Sequence, residues 1–224
     1  MRRSDRTNSP LRAIPQGNDT PAKDTPELAD EITVPEQPVG LVVFPVTLPL
    51  AVSTGHLRSI AAEFQDRGFA TFLGELLSPE ETEHGYHNLD FGMLADRIAE
   101  ITERLHRRAP FKDMPVGYFG TSADAAAMAV AAAQPECCAR AMVMCDARPE
   151  LATVELPRVR APTLFIVEDD ELALKLHRRA LAKLSCPSDL AVLRGVGRGL
   201  SSPEIAAQAS RLAGDWFETH LRCA

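Results

Sequence analysis

Short apolar runs alternate with longer amphipathic ones along most of this chain. Gly40 to Phe44, Phe69 to Leu73, Val116 to Phe119, Arg140 to Met144, Pro162 to Val167 and Asp189 to Leu193 have strand length. Unbroken apolar runs such as Leu41-Val42-Val43-Phe44 mark strands covered on both faces. Glu31 to Val34, stopped by Pro35, adds a shorter strand. Between these runs the apolar period lengthens to that of a helix. His56 to Arg67 presents Leu57, Ile60, Ala61 and Phe64 on one face and stops at Gly68. Leu89 to Arg108 presents Met93, Leu94, Ile98, Ile101 and Leu105. Asp124 to Ala133 is an alanine-dense helix, Glu171 to Leu184 another, and Pro203 to Leu221 a last one with Ile205, Ala206, Leu212, Trp216 and Phe217 inward. Strands alternating with helices predict the α/β class, a doubly wound and mostly parallel sheet flanked by helices. Residues 1 to 26 carry no such period and are expected to be a disordered polar tail; residues 27 to 224 form the domain.

In a doubly wound sheet, chemistry collects in the loops that follow strand C-termini. Six segments fall there: Pro45 to Thr54, the polar stretch 74 to 88, Gly120 to Asp124, Cys145 to Arg148, Glu168 to Asp170 and Gly195 to Ser202. The third stands out. A strand that turns through Gly120-Thr121-Ser122 directly into a small-residue helix has the geometry of a nucleophile elbow, with the Ser122 hydroxyl raised above the sheet edge. The same residues are also consistent with Ser122 or Asp124 acting only as a helix cap.

Composition narrows the partners. A net charge of −7 and a pI near 5.4 argue against nucleic-acid or anionic-membrane binding. No stretch approaches the roughly 18 apolar residues of a membrane span, and the charged N-terminus lacks the apolar core of a secretory signal. The five cysteines (Cys137, Cys138, Cys145, Cys186 and Cys223) are odd in number and irregularly spaced, which fits reduced thiols in the cytoplasm. No ligand cluster implies a metal or an organic cofactor, so none is expected, and no oligomeric state is specified.

With these landmarks the chain resembles the α/β-hydrolase fold, in its minimal form without a separate lid domain, and within it the dienelactone-hydrolase-like group. The resemblance spans residues 28 to 221 and rests on GLVVFPV, AEFQDRGFATFLGELLSPEE, VGYFGTSADAAAMAVAAA, ARAMVMCDARPELA, LPRVRAPTLFIVEDDE and RLAGDWFETHL, all in family order. It implies ester or lactone hydrolysis by a serine, a histidine that takes its proton and an acid that orients the histidine. The nucleophile is carried to Ser122 and the acid to Asp170, with Asp169 the near alternative.

The chain departs from that pattern at three places. The glycine that closes the elbow is Asp124. The oxyanion loop, expected to be glycine-rich, reads Pro45-Val46-Thr47-Leu48-Pro49-Leu50, which leaves Val46 beside the pocket and the Ala123 amide as the surviving oxyanion donor. The loop that should hold the histidine has Arg198 at that position, and a guanidinium stays protonated and cannot act as a base. His84 and His87, in the 74 to 88 segment, are the histidines on the functional edge. His56 and His106 lie at helix ends, and His177 and His220 within helices. Two readings follow: a serine hydrolase with an atypical base, or a non-catalytic member. The second would bind a small anion through Arg198 and Arg148, or serve as an interaction surface. Arg198 could instead pair with Asp170. Cys145 is a remote alternative nucleophile with no evident base.

Overall fold

The computed structural model describes residues 30–47, 55–83, 89–194, 200 and 202–222. Its strands are Asp30–Thr33 (β1), Gly40–Val46 (β2), Phe69–Glu75 (β3), Val116–Thr121 (β4), Ala139–Ala147 (β5), Thr163–Glu168 (β6) and Ser188–Leu193 (β7). They form one sheet in the order β1-β3-β2-β4-β5-β6-β7, parallel throughout except for the β1–β3 pair. The helices are Gly55–Asp66 (α1), Pro79–Glu83 (α2), Phe91–His106 (α3), Ser122–Ala132 (α4), Glu171–Leu181 (α5) and Pro203–Leu221 (α6). This is the mostly parallel, doubly wound architecture that the alternating pattern predicts. Among the described residues, no helix is long and apolar enough to cross a membrane.

Each face of the sheet is covered by its own apolar layer. On one side α3 and α4 pack together, with Leu94, Ile98, Ile101, Leu105 and the alanines of α4 buried against Tyr118, Met142 and Phe165. On the other, α1 packs with α6 over four phenylalanines: Phe44, Phe64, Phe119 and Phe217 have ring centroids 5.1–5.8 Å apart. Gly117 allows this packing, because a Cβ there would lie 2.6 Å from the ring of Phe217 and 2.9 Å from Leu221 Cδ1. On the opposite face, Gly120 lets α4 turn back tightly over β4: a side chain there would meet Met128 Sδ and sit 3.1 Å from the Ala125 amide.

The strand order places a reversal of winding between β2 and β4. From β2 the chain steps outward to β3, and it then crosses over to place β4 on the other side of β2. Such a switch point opens a crevice at the strands' C-terminal ends, where Thr47 follows β2 and Ser122 follows β4.

Two stretches differ from the expectation. The helix after β4 starts at Ser122 rather than Asp124, so the turn is tighter by two residues. Within the segment expected to be loop from 74 to 88, β3 runs on to Glu75, and α2 forms over Pro79–Glu83. Helix-start chemistry explains α2. Pro79 opens it, Ser78 Oγ accepts from the Glu81 amide, and Glu81 accepts in turn from the Ser78 amide. Arg97 of α3 then clamps it, donating to both Glu81 oxygens at 2.7 Å and to the Leu76 carbonyl at 2.5 Å. His84 and His87 lie outside the described residues, as do 1–29.

Phe217 is fully buried and wedged among other rings, so it has nowhere to retreat. Gly117→Ala is therefore expected to destabilise the fold by about 1–3 kcal/mol in chemical denaturation, while leaving the far-UV circular dichroism of the folded state unchanged.

Candidate active site

Ser122 is exposed at the head of α4 with φ +49°, in the left-handed region that side chains other than glycine seldom occupy. That conformation costs on the order of 1 kcal/mol. The surroundings impose it. β4 ends at Thr121, α4 begins one residue later, and a parallel bridge ties Ser122 to Ala147, with the Arg148 amide donating to the Ser122 carbonyl at 3.2 Å. The residue before the helix, Thr121, gives no side-chain cap, so the positive end of α4 is left for other partners.

Two residues further on, Asp124 points away from solvent. Its Oδ1 accepts from the Thr47 amide at 3.1 Å and from Thr47 Oγ1 at 2.5 Å, across 77 positions of sequence. The residue that replaces the family's closing glycine therefore ties the α4 head to the loop after β2. It also engages the Thr47 amide, so that donor is already occupied within the protein. Burial raises the Asp124 carboxyl to about 6 against the pull of its two Thr47 hydrogen bonds. Val46, the other residue expected at this loop, is buried at the end of β2 and packs with the phenylalanine layer.

The acidic candidates separate. Asp170 is the N-cap of α5, its Oδ1 accepting from the Ala173 amide at 2.8 Å, while Asp169 precedes it in the same exposed turn. Asp146, which the sequence reading did not single out, stands nearer the Ser122 turn. It precedes Ala147, the partner of Ser122, and has φ +46°. Burial and the neighbouring Glu168 push its carboxyl up. Two left-handed non-glycine residues on adjacent strand ends mark this edge as backbone held by its surroundings, and no sequence motif announces the second.

Arg198 lies outside the described residues. Arg148 is ion-paired with Glu150 at 3.0 Å. Cys145 is fully buried, and its thiol is pushed far above the usual range, which removes it as a nucleophile. His177 is buried against Phe165, donates from Nδ1 to the Ala173 carbonyl, and keeps Nε2 inside the protein. His220 packs against Trp216 with ring centroids 4.3 Å apart and the planes tilted by 53°, and His56 is half-buried at the start of α1.

No profile of a known protein family matches the chain. A dienelactone hydrolase from Anabaena variabilis is 30% identical in sequence, superposes with a TM-score of 0.79, and is matched over 87% of this chain and 93% of its own. The chain belongs to the dienelactone-hydrolase-like branch of the α/β hydrolases. The esterase domain of a Rhodothermus marinus protein shares the fold at 16% identity and a TM-score of 0.64, covering 85% of this chain and 92% of that domain. Proteins from two strains of Mycobacterium tuberculosis, each described as "Putative phosphoribosyl transferase", are 38% identical over 195 residues, or 87% of this chain. The chain spans 44% of the length of those relatives.

Within this dienelactone-hydrolase-like domain, the Asp124–Thr47 tie gives the site a pH signature. The folded state holds its Asp124 proton up to about pH 6, whereas the unfolded chain releases it near 3.8. Between those values the folded state binds more protons, so this group stabilises the fold below the unfolded value, and that contribution is lost as pH rises through 6. Asp124→Asn can keep the acceptor for Thr47 without the charge. The change in unfolding free energy between about pH 5 and 7.5 is expected to differ between wild type and this variant by on the order of 1–3 kcal/mol. Wild type should lose more stability on alkalinisation, as measured by urea denaturation at the two pH values.

Proposed function

We propose that this dienelactone-hydrolase-like chain hydrolyses small carboxylic esters or lactones through an acyl-enzyme on Ser122. The observation that carries the reading is the exposed Ser122 at φ +49°, held at the crevice between β2 and β4. A serine serving only as a cap needs no left-handed backbone. In this reading Ser122 Oγ attacks the carbonyl carbon and the Ala123 amide stabilises the oxyanion. The alcohol leaves with a proton, and water then releases the acid. Asp170 occupies the family's acid position. The base comes from His84 or His87, in the stretch of sequence that follows α2. No metal or organic cofactor enters the reaction.

A second reading has one observation in its favour. Asp124 draws the Thr47 amide away from the oxyanion position, and Pro45 and Pro49 offer no amide hydrogen. On that basis the site is a non-catalytic pocket for a small anion, held by the head of α4 with Arg148 and Arg198. The transferase name of the Mycobacterium relatives stays with proteins more than twice the matched length, and no residue of this chain is assigned to phosphoribosyl transfer.

A fluorophosphonate probe separates the two readings, because it requires an activated serine but no knowledge of the substrate. Peptide mass spectrometry is expected to find one label per chain at Ser122, absent in Ser122→Ala and slowed by about 10²-fold or more when the active loop histidine is replaced. No labelling at millimolar probe would overturn the hydrolase reading in favour of anion binding. A stability measurement accompanies it: Ser122→Gly removes the left-handed strain, so it is expected to melt no lower than wild type, although glycine within a helix ordinarily costs about 1 kcal/mol.

A further inference from the structure

At the opposite edge of the sheet, below the N-terminal ends of β4 and β5, the end of α3 and the α4–β5 connection enclose a cleft of about 450 Å³. It holds two adjacent cysteines and a histidine. His106 Nε2 lies 3.1 Å from the Met114 carbonyl, which can only accept, so Nε2 carries the hydrogen. In the neutral ring Nδ1 is then the acceptor, and Cys138 Sγ lies 3.7 Å from it. A carbonyl thus fixes the tautomer of an imidazole whose free lone pair faces an exposed thiol. This is the arrangement by which a thiol sheds its proton when it attacks. Partial desolvation against the cleft wall and the neighbouring Cys137 raise the Cys138 thiol above its ordinary value, so an adjacent base has a task to perform. Among the described residues, no group of three side chains is placed to hold a metal ion.

The cleft also has a charge preference. Asp96, Glu100, Glu103 and Glu136 line it, and no lysine or arginine does among the described residues. Neighbouring groups moderate this field without entering the cleft as cations: Arg107 pairs with Glu103 at 2.8 Å, Arg97 interacts electrostatically with Glu100, the Gln134 side-chain amide donates to Asp96 at 2.9 Å, and Arg160 donates to the Pro135 carbonyl. Cys137 is turned inward, half-buried against Tyr118, and its Sγ accepts from the Ala139 amide.

We propose that Cys138 and His106 form a thiol–disulfide exchange site, independent of Ser122, that accepts small cationic disulfides in preference to anionic ones. The Cys138 proton passes to His106 Nδ1 as the sulfur attacks one sulfur of the disulfide. The S–S bond of the reagent breaks, a Cys138 mixed disulfide forms, and the departing thiolate recovers the proton from the imidazolium. One disulfide is consumed and one is made, so no further oxidant is needed. The product is the chain thiolated at Cys138, with a cationic group seated among the four carboxylates.

The test uses the full reduced chain with cystamine as the cationic disulfide and oxidised glutathione as the anionic one. Thiolation is read at every cysteine by non-reducing peptide mass spectrometry. Cys138 is expected to react at least about tenfold faster than Cys186, the half-buried thiol whose hydrogen-bond partner is the Thr163 hydroxyl rather than an imidazole. Cystamine should outpace oxidised glutathione by about tenfold at low salt, with the gap closing as salt screens the carboxylates. His106→Gln can keep the bond to Met114 but has no basic nitrogen. It should slow Cys138 by about 10²-fold and change the shape of the pH–rate profile of Cys138 thiolation. Glu136→Gln, an exposed change, supplies the charge readout should His106→Gln fail to fold, and is expected to narrow the cystamine preference. Equal rates at Cys138 and Cys186, or an unaltered rate and pH profile in His106→Gln, would overturn the exchange site. Equal rates with the two disulfides, or an unchanged preference in Glu136→Gln, would overturn its charge selectivity.

Discussion

The buried carboxylate of Asp124 joins the two loops that border the switch point. Among the described residues, its two bonds to Thr47 are the side-chain hydrogen bonds between the end of β2 and the head of α4. Through them, a side chain two positions after Ser122 fixes the backbone 77 residues earlier. The geometry works because alanine makes up seven of the eleven residues of α4. A helix without bulk can lie close over β4 at Gly120, and that close approach turns the chain sharply enough to force Ser122 into the left-handed region. Packing, backbone strain and the placement of a hydroxyl are three consequences of one set of small side chains. The cost is a carboxylate kept out of water, and its raised pKa records that cost.

The frame of the fold was legible in the sequence because both of its periods are strong. Strands buried on two faces leave runs such as Leu41 to Phe44, and helices buried on one face leave spacings such as Leu94, Ile98, Ile101 and Leu105. The short helix over Pro79–Glu83 was not legible as a period, since five residues complete little more than one turn. Its start chemistry, Ser78-Pro79 followed by two glutamates, was present and would have revealed it. The role of Asp124 was out of reach for a different reason. Asp near a helix start is the commonest of caps, and its actual partner, Thr47, belongs to another loop that only the folded sheet brings near. Asp146 was hidden in the same way, because a left-handed φ at a non-glycine residue leaves no trace in composition.

The chemistry-bearing groups divide between the two edges of the sheet. Ser122, Asp124, Asp146 and Asp170 gather at the strand C-termini, where parallel topology opens a crevice. His106, Cys137 and Cys138 lie at the other edge, at the end of α3 and in a connection whose sequence looked like a plain helix end. Membership of the dienelactone-hydrolase-like branch bears on the first group and says nothing of the second. That division lets the two sites be tested separately, since a change at one leaves the hydrogen bonds of the other in place.

If Ser122 is the nucleophile, it accepts an acyl group during turnover. The most direct measurement is the pre-steady-state release of nitrophenolate from a p-nitrophenyl ester, paired with the intact mass of the chain trapped in acid. A burst of one equivalent per chain and an acyl adduct on Ser122 are expected, and neither in Ser122→Gly, which lacks the hydroxyl and is expected to keep the fold. Release without a burst or adduct, or the same burst in Ser122→Gly, would contradict that role.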